Sequence, residues 1–244
     1  MNKKYSISSS TLHILAMLFM VCDHLWATLI PGNQWLTSLG RLAYPIFAFL
    51  LVEGYFHTSN LRKYVTRLLL FAILSEIPFN LMYSDSIFYP FHQNVLWTFL
   101  IGIAMIHLNE HYKNKNLFLR IVIAVISIVG GSLLGILGFT DYNGAGVLMI
   151  LVFYFFRGKK WWCLLGQVLC MYYINVEILK GLYFEVEFLG RTWNVVQQGL
   201  ALLALIPIWL YAGKKGINSK FFKYFCYAFY PVHMFVLWLV YILK

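Results

Sequence analysis

Asp23 and His24 adjoin inside one apolar run, Arg41 opens the next, Glu76 and Asn80 lie four residues apart in a third, and Asn94 begins a fourth. An ionisable side chain inside a bilayer costs roughly 2.5–3.5 kcal/mol on insertion scales, so such groups are paired, functional or both. At 1.5 Å per residue, Asp23 and His24 lie about 17 Å along a helix starting near residue 12, slightly past mid-membrane. Four consecutive helices thus bring these polar residues to one depth, and a shared cavity is the simplest arrangement. Neighbouring helical residues point about 100° apart, so Asp23 is expected to meet Arg41 while His24 faces the cavity. His24 is the one member able to exchange a proton near neutral pH, as a base or relay does. The alternative for Asp23, Arg41 and Glu76 is an ionic network that only pins helices together.

A second polar group comprises Glu53, His57, Thr58, Asn60, Arg62, Lys63 and Arg67, with Glu53 and His57 one helical turn apart on a shared face. It reads either as a solvated basic loop or as an anchor for a phosphate-bearing cytosolic ligand. His233, beside Pro231 on the last apolar run, is a further candidate, but without a visible partner in the sequence. The four cysteines lie inside apolar runs without metal-ligand spacing, so neither a disulfide framework nor a metal site is expected. The glycines from Gly130 to Gly138 fall within an apolar run and suit close helix packing rather than a phosphate cradle.

The elements that must position these residues are membrane helices. Of 244 residues, 61% are hydrophobic and 11% charged, and the mean hydropathy is +0.72, far from a soluble domain. With roughly 20 residues per span there is no room for an aqueous domain. Apolar runs predict nine helices, at 12–30, 42–56, 67–83, 94–108, 117–139, 142–157, 161–177, 195–212 and 224–243. The run at 161–177 is interrupted by Gln167 and Asn175. Lys3 and Lys4 precede the first run, which is expected to be a retained helix rather than a cleaved signal. If the N-terminus is cytoplasmic, fifteen of the 19 Lys and Arg residues fall in inner segments and four in outer ones. The net charge of +10 is therefore read as topology, not nucleic-acid binding. The outer segment 178–194, with Glu185 and Glu187, is expected to be a connector or a short interfacial lid.

From Thr11 to about Gly102 the chain resembles the TraX family, named for the membrane protein that N-acetylates pilin of conjugative plasmids. The residues that carry the resemblance are Met20 to His24, Gly40 to Phe49, Glu53-Gly54-Tyr55, His57 to Asn60, Tyr64, Arg67-Leu68, Ser75 to Phe79 and Asn94. The rest of the chain matches only as hydrophobic spans. The resemblance implies one polytopic all-α domain over 1–244, with the motifs in 1–108, acting as an acyltransferase in the bacterial cytoplasmic membrane. Acetyl-CoA would be the donor, its phosphates docking at Glu53, His57, Arg62, Lys63 and Arg67 and its pantetheine arm threading toward His24. His24 would act as base or as an acetylated intermediate, Asp23 and Glu76 would complete the cluster, and Arg41 or Asn94 would stabilise the oxyanion. The acceptor could be a peptide, glycan or small molecule.

Two other classes fit parts of the pattern. A proton-coupled transporter would use Asp23, His24 and Glu76 as a relay, although the chain lacks internal repeats. A non-catalytic assembly protein would use them to hold partner helices.

Overall fold

Polar caps cut the apolar chain into helices. The computed structural model describes residues 6–188 and 190–244, so Lys3 and Lys4 lie outside the described residues. In chain order the elements are α1 (Ser9–Thr28), α2 (Gln34–Gly40), α3 (Ala43–His57), α4 (Leu61–Ser84), α5 (Val95–Tyr112), α6 (Leu117–Leu137) and α7 (Asn143–Phe155). Next comes α8 (Trp161–Tyr172), which continues as a π-helix over Tyr173–Leu179, then a hairpin of β1 (Tyr183–Phe188) and β2 (Arg191–Val196). A 3-10 segment, Gln197–Ala204, leads into α9 (Leu205–Trp209), and α10 (Lys220–Ile242) closes the bundle. Ser8, Asn60, Asn94, Asn116 and Ser219 each accept a backbone N–H from the first turn of the helix that follows. Each thereby satisfies one of the donors that a helix start leaves open.

The segment ends sort into two groups. At one, Ser9 N–H donates to the Lys214 carbonyl at 2.8 Å, Lys159 Nζ to the Tyr211 carbonyl at 2.6 Å and Arg157 Nε to Glu53 at 2.7 Å. At the other, Gln93 N–H donates to the Phe139 carbonyl at 2.8 Å and Trp238 Nε1 to Asp85 at 3.3 Å. Successive helical segments run alternately between them.

Among the described residues, six segments are long and apolar enough to cross a membrane: Ser9–Thr28, Gln34–His57, Leu61–Ser84, Leu117–Leu137, Trp161–Leu179 and Lys220–Ile242. The other three expected spans are shorter or more polar. α7 has 13 residues, about 20 Å of helix against a hydrocarbon core of about 30 Å. Gln197–Trp209 is another short apolar segment, and α5 carries His107, Asn109, Glu110 and His111 near its end. The interrupted run at 161–177 is helical because its polar groups are satisfied. Gln167 donates to the Phe156 carbonyl and accepts from Trp209 Nε1, both at 2.8 Å, and Asn175 accepts from Gln198 at 2.9 Å. The segment after it, expected outside, forms the β1–β2 hairpin.

The centre is built by α3, α5 and α7, where Ile46, Val52, Ile106, Met149 and Ile150 are buried. α6 instead exposes Ile121, Val125, Leu133 and Leu137, as a helix facing lipid does. Its small residues provide close packing, since a Cβ on Gly135 would lie 2.6 Å from the Asn143 carbonyl oxygen at the start of α7.

Candidate functional site

Near the end opposite the basic loops, a cavity of about 370 Å³ is lined by Asp23, His24, Arg41, Tyr44, Tyr83, His92, Asp141, Tyr142 and Gln198, among others. Gly40 makes its first wall possible. A Cβ there would lie 2.4 Å from the Asp23 Cβ, so only glycine lets the α2–α3 corner close on α1. That approach joins Arg41 to Asp23 in an ion pair. Thr37 Oγ1 donates to the same carboxylate at 2.7 Å, and Arg41 Nη1 donates to Gln198 at 3.2 Å.

His24, 8% exposed, lies with Nδ1 2.7 Å from Nε2 of His233 on α10. His233 Nδ1 is in turn 2.7 Å from the Phe229 carbonyl. A carbonyl only accepts, so His233 carries its proton on Nδ1 and offers a lone pair at Nε2. His24 Nδ1 must then donate, which leaves Nε2 of a neutral His24 as the bare, basic nitrogen. The contact spans 209 residues of sequence, and no local pattern announces it.

Glu76, Asn80 and Asn94 do not line this cavity, against the expectation of one shared cluster. Glu76 accepts from the Asn94 backbone at 3.2 Å, from its side-chain amide, and from Trp97 Nε1 at 2.7 Å. Asn94 also donates to the Ala72 carbonyl at 2.8 Å and caps α5. These bonds fasten α5 to α4. Asn94 is thereby committed and is not an oxyanion donor, because its amide hydrogens are used. Helix rotation turns these groups toward the α4–α5 contact.

Sequence reasoning missed other lining groups. Tyr44 Oη and Trp26 Nε1 line the cavity and, among the described residues, have no hydrogen-bond partner. His92, in the α4–α5 loop, lies 3.7 Å from Asp141. That interaction, opposed by partial burial and reinforced by the charges of Asp141 and Glu76, holds its imidazole above the ordinary value.

A second cavity, of about 480 Å³, opens at the basic end. Glu53, His57 and Arg67 line it, whereas Arg62 and Lys63 do not. Those two sit on the exposed side of the first turn of α4, because only Arg67 of the three falls on the helix face toward α10. Glu53 is engaged by Arg157. Lys215, Lys220 and Lys223, assigned from sequence to topology alone, line the cavity instead.

Met20, Phe47, Val95, Phe99 and Tyr230 line both cavities. The two chambers therefore meet at an apolar collar deep in the bundle.

This layout involves α10 as much as α1, so it concerns the whole chain rather than its first two fifths. A family model described as TraX protein matches residues 8–241. The chain belongs to the TraX family. Membership in TraX extends the match through the helix that carries His233, where the sequence pattern had shown only hydrophobic spans. A probable fimbrial assembly protein FimC, serogroup H1, of Dichelobacter nodosus is 25% identical over 246 residues, covering 96% of this chain and 96% of that protein. No solved structure matches this TraX chain.

Proposed function

We propose that this multi-pass membrane protein is an acyltransferase in which His24 is the catalytic base. The observation that carries the reading is the His24–His233 contact, which fixes the basic nitrogen of a cavity-lining imidazole. An amine or hydroxyl of the acceptor attacks the carbonyl carbon of a thioester. The new C–N or C–O bond forms as the C–S bond breaks, the proton passes to His24 Nε2, and His24 returns it to the leaving thiolate. Arg41 supplies positive charge at the cavity wall, and Tyr44 Oη and Trp26 Nε1 are uncommitted donors for the oxyanion. The donor in this reading is cytosolic acyl-CoA, acetyl-CoA first, entering the basic-end chamber and passing its arm through the collar. The N-terminus is cytoplasmic and the membrane is the bacterial cytoplasmic membrane, in keeping with the basic bias. The fimbrial relative makes a fimbrial subunit the first acceptor to assay.

Purified protein in proteoliposomes, given labelled acetyl-CoA and peptide, glycan or small-molecule acceptors, should release CoA thiol and label an acceptor. No transfer to any class by a well-folded preparation would end the reading. Against a proton relay of Asp23, His24 and Glu76 stands the engagement of Asp23 with Arg41 and of Glu76 with Asn94 and Trp97.

A further inference from the structure

The basic-end cavity is not an incidental gap between helices. The loop before α10 is clasped to the start of α1: Ser9 and Ser10 N–H groups donate to the Lys214 and Lys215 carbonyls at 2.8 and 3.0 Å, and Ser10 Oγ accepts from Ile217 N–H at 3.0 Å. Gly213 and Gly216, with φ of 72° and 74°, make the turns this clasp needs, since such dihedrals cost other residues energy. The clasp fixes the backbone that carries Lys215 and starts α10, so Lys215, Lys220 and Lys223 line one chamber. Arg67 reaches it from α4, with Nε buried and, among the described residues, without a hydrogen-bond partner. Among the described residues the one lining carboxylate, Glu53, is engaged by Arg157, so four cations are left to face an anion. Aromatic rings stand among them: Tyr64, Phe222 and Tyr227 line the same walls, and the Arg67 guanidinium lies 6.0 Å from the Tyr227 ring centroid. Cations beside aromatic faces suit a molecule that carries both phosphates and a stacking base. The volume, about 480 Å³, falls within the range of small-molecule sites, roughly 300–1,000 Å³.

We propose that this chamber is a binding site for the nucleotide end of a soluble, multiply phosphorylated carrier, read by Arg67, Lys215, Lys220 and Lys223 rather than by Arg62 and Lys63. The choice of carrier rests on the acyltransferase reading, but phosphate recognition does not. An anionic lipid headgroup shares the phosphate chemistry and lacks the base.

The test is equilibrium binding of CoA, dephospho-CoA and pantetheine to the His24→Ala protein in phosphatidylcholine nanodiscs, where turnover cannot interfere. Affinity should fall in that order. Lys220→Gln combined with Lys223→Gln should weaken CoA by about tenfold or more and leave pantetheine unchanged. Lys115→Gln with Arg120→Gln, basic residues of the same end outside the cavity, should stay within about twofold, with thermal melting checked for every variant. Equal affinity for CoA and pantetheine, or equal weakening by both pairs, would overturn the proposal. So would phosphatidylglycerol in the nanodisc displacing CoA while CoA and dephospho-CoA bind alike, the result expected of a headgroup site. CoA binding without acyl transfer by the unmutated protein would sink the acyltransferase reading and leave this site standing. Transfer with binding insensitive to the lysines would do the reverse.

Discussion

His24 Nδ1 and His233 Nε2 approach to 2.7 Å across the contact between α1 and α10, and the Phe229 carbonyl behind His233 decides which nitrogen carries each proton. In the proposed reaction His24 takes the proton and His233 is a positioning residue. His24→Ala should lower transfer by about 100-fold or more, the scale of general base catalysis. His233→Ala should lower kcat more than it raises KM, and His233→Gln should recover part of the loss because its Oε1 can accept from His24 Nδ1. Steady-state kinetics on the three variants checks this. Near-normal rates for a well-expressed His24→Ala protein would end the base assignment.

Gly40→Ala should destabilise the protein and press on the Asp23 carboxylate that Arg41 holds. Its methyl would meet the Asp23 Cβ at 2.4 Å, and overpacking of this kind costs about 1–3 kcal/mol. Thermal unfolding in detergent should show the loss. An unchanged melting temperature would mean the α2–α3 corner has slack that the packing denies.

Glu76 offers a way to separate architecture from chemistry. Glu76→Ala leaves the Asn94 and Trp97 donors unpaired, at about 1–3 kcal/mol each, so expression and melting temperature should fall. Glu76→Gln keeps an acceptor and should fold with transfer largely intact. If Glu76→Gln folds normally and loses transfer completely, Glu76 belongs to the reaction after all.

The pair of His92 and Asp141 sets a pH dependence in the cavity opposite the basic end. The folded imidazole is raised above its ordinary value of 6.5, chiefly by its interaction with the Asp141 carboxylate 3.7 Å away. Its contribution to stability is therefore complete below that value and fades as pH rises through the higher folded value. Melting temperature should decline over this range in the unmutated protein, and His92→Gln should remove that component. The same decline in the variant would assign it to another group.

Topology can be read independently. Segments that alternate between two ends place residue 6 and residue 244 at opposite ends of the bundle, and the basic bias predicts that the basic end is inside. Reporter fusions after Lys244 should give an external signal. A cytoplasmic signal would require at least one of the short segments, α7 or 197–209, to turn back within the membrane.

Composition and period alone determined the class of this protein. The apolar content and the run lengths fixed a helical membrane bundle, because a backbone in hydrocarbon must satisfy its own hydrogen bonds. Helical spacing was enough to bring Asp23, His24 and Arg41 to one cavity, which all three line. Adjacent positions on one helix also sufficed to direct Asp23, not His24, toward Arg41. What spacing could not supply was rotation and long-range pairing. Glu76 and Asn94 bond each other between α4 and α5 instead of lining the cavity, and Arg62 and Lys63 face out while Arg67 faces in. His233 had no visible partner because its partner lies 209 residues away, and Lys215, Lys220 and Lys223 read as topology until the clasped loop brought them beside Arg67. Which side chains share a cavity depends on how helices turn and pack against one another, and that is settled by contacts between distant residues, not by the spacing of near ones.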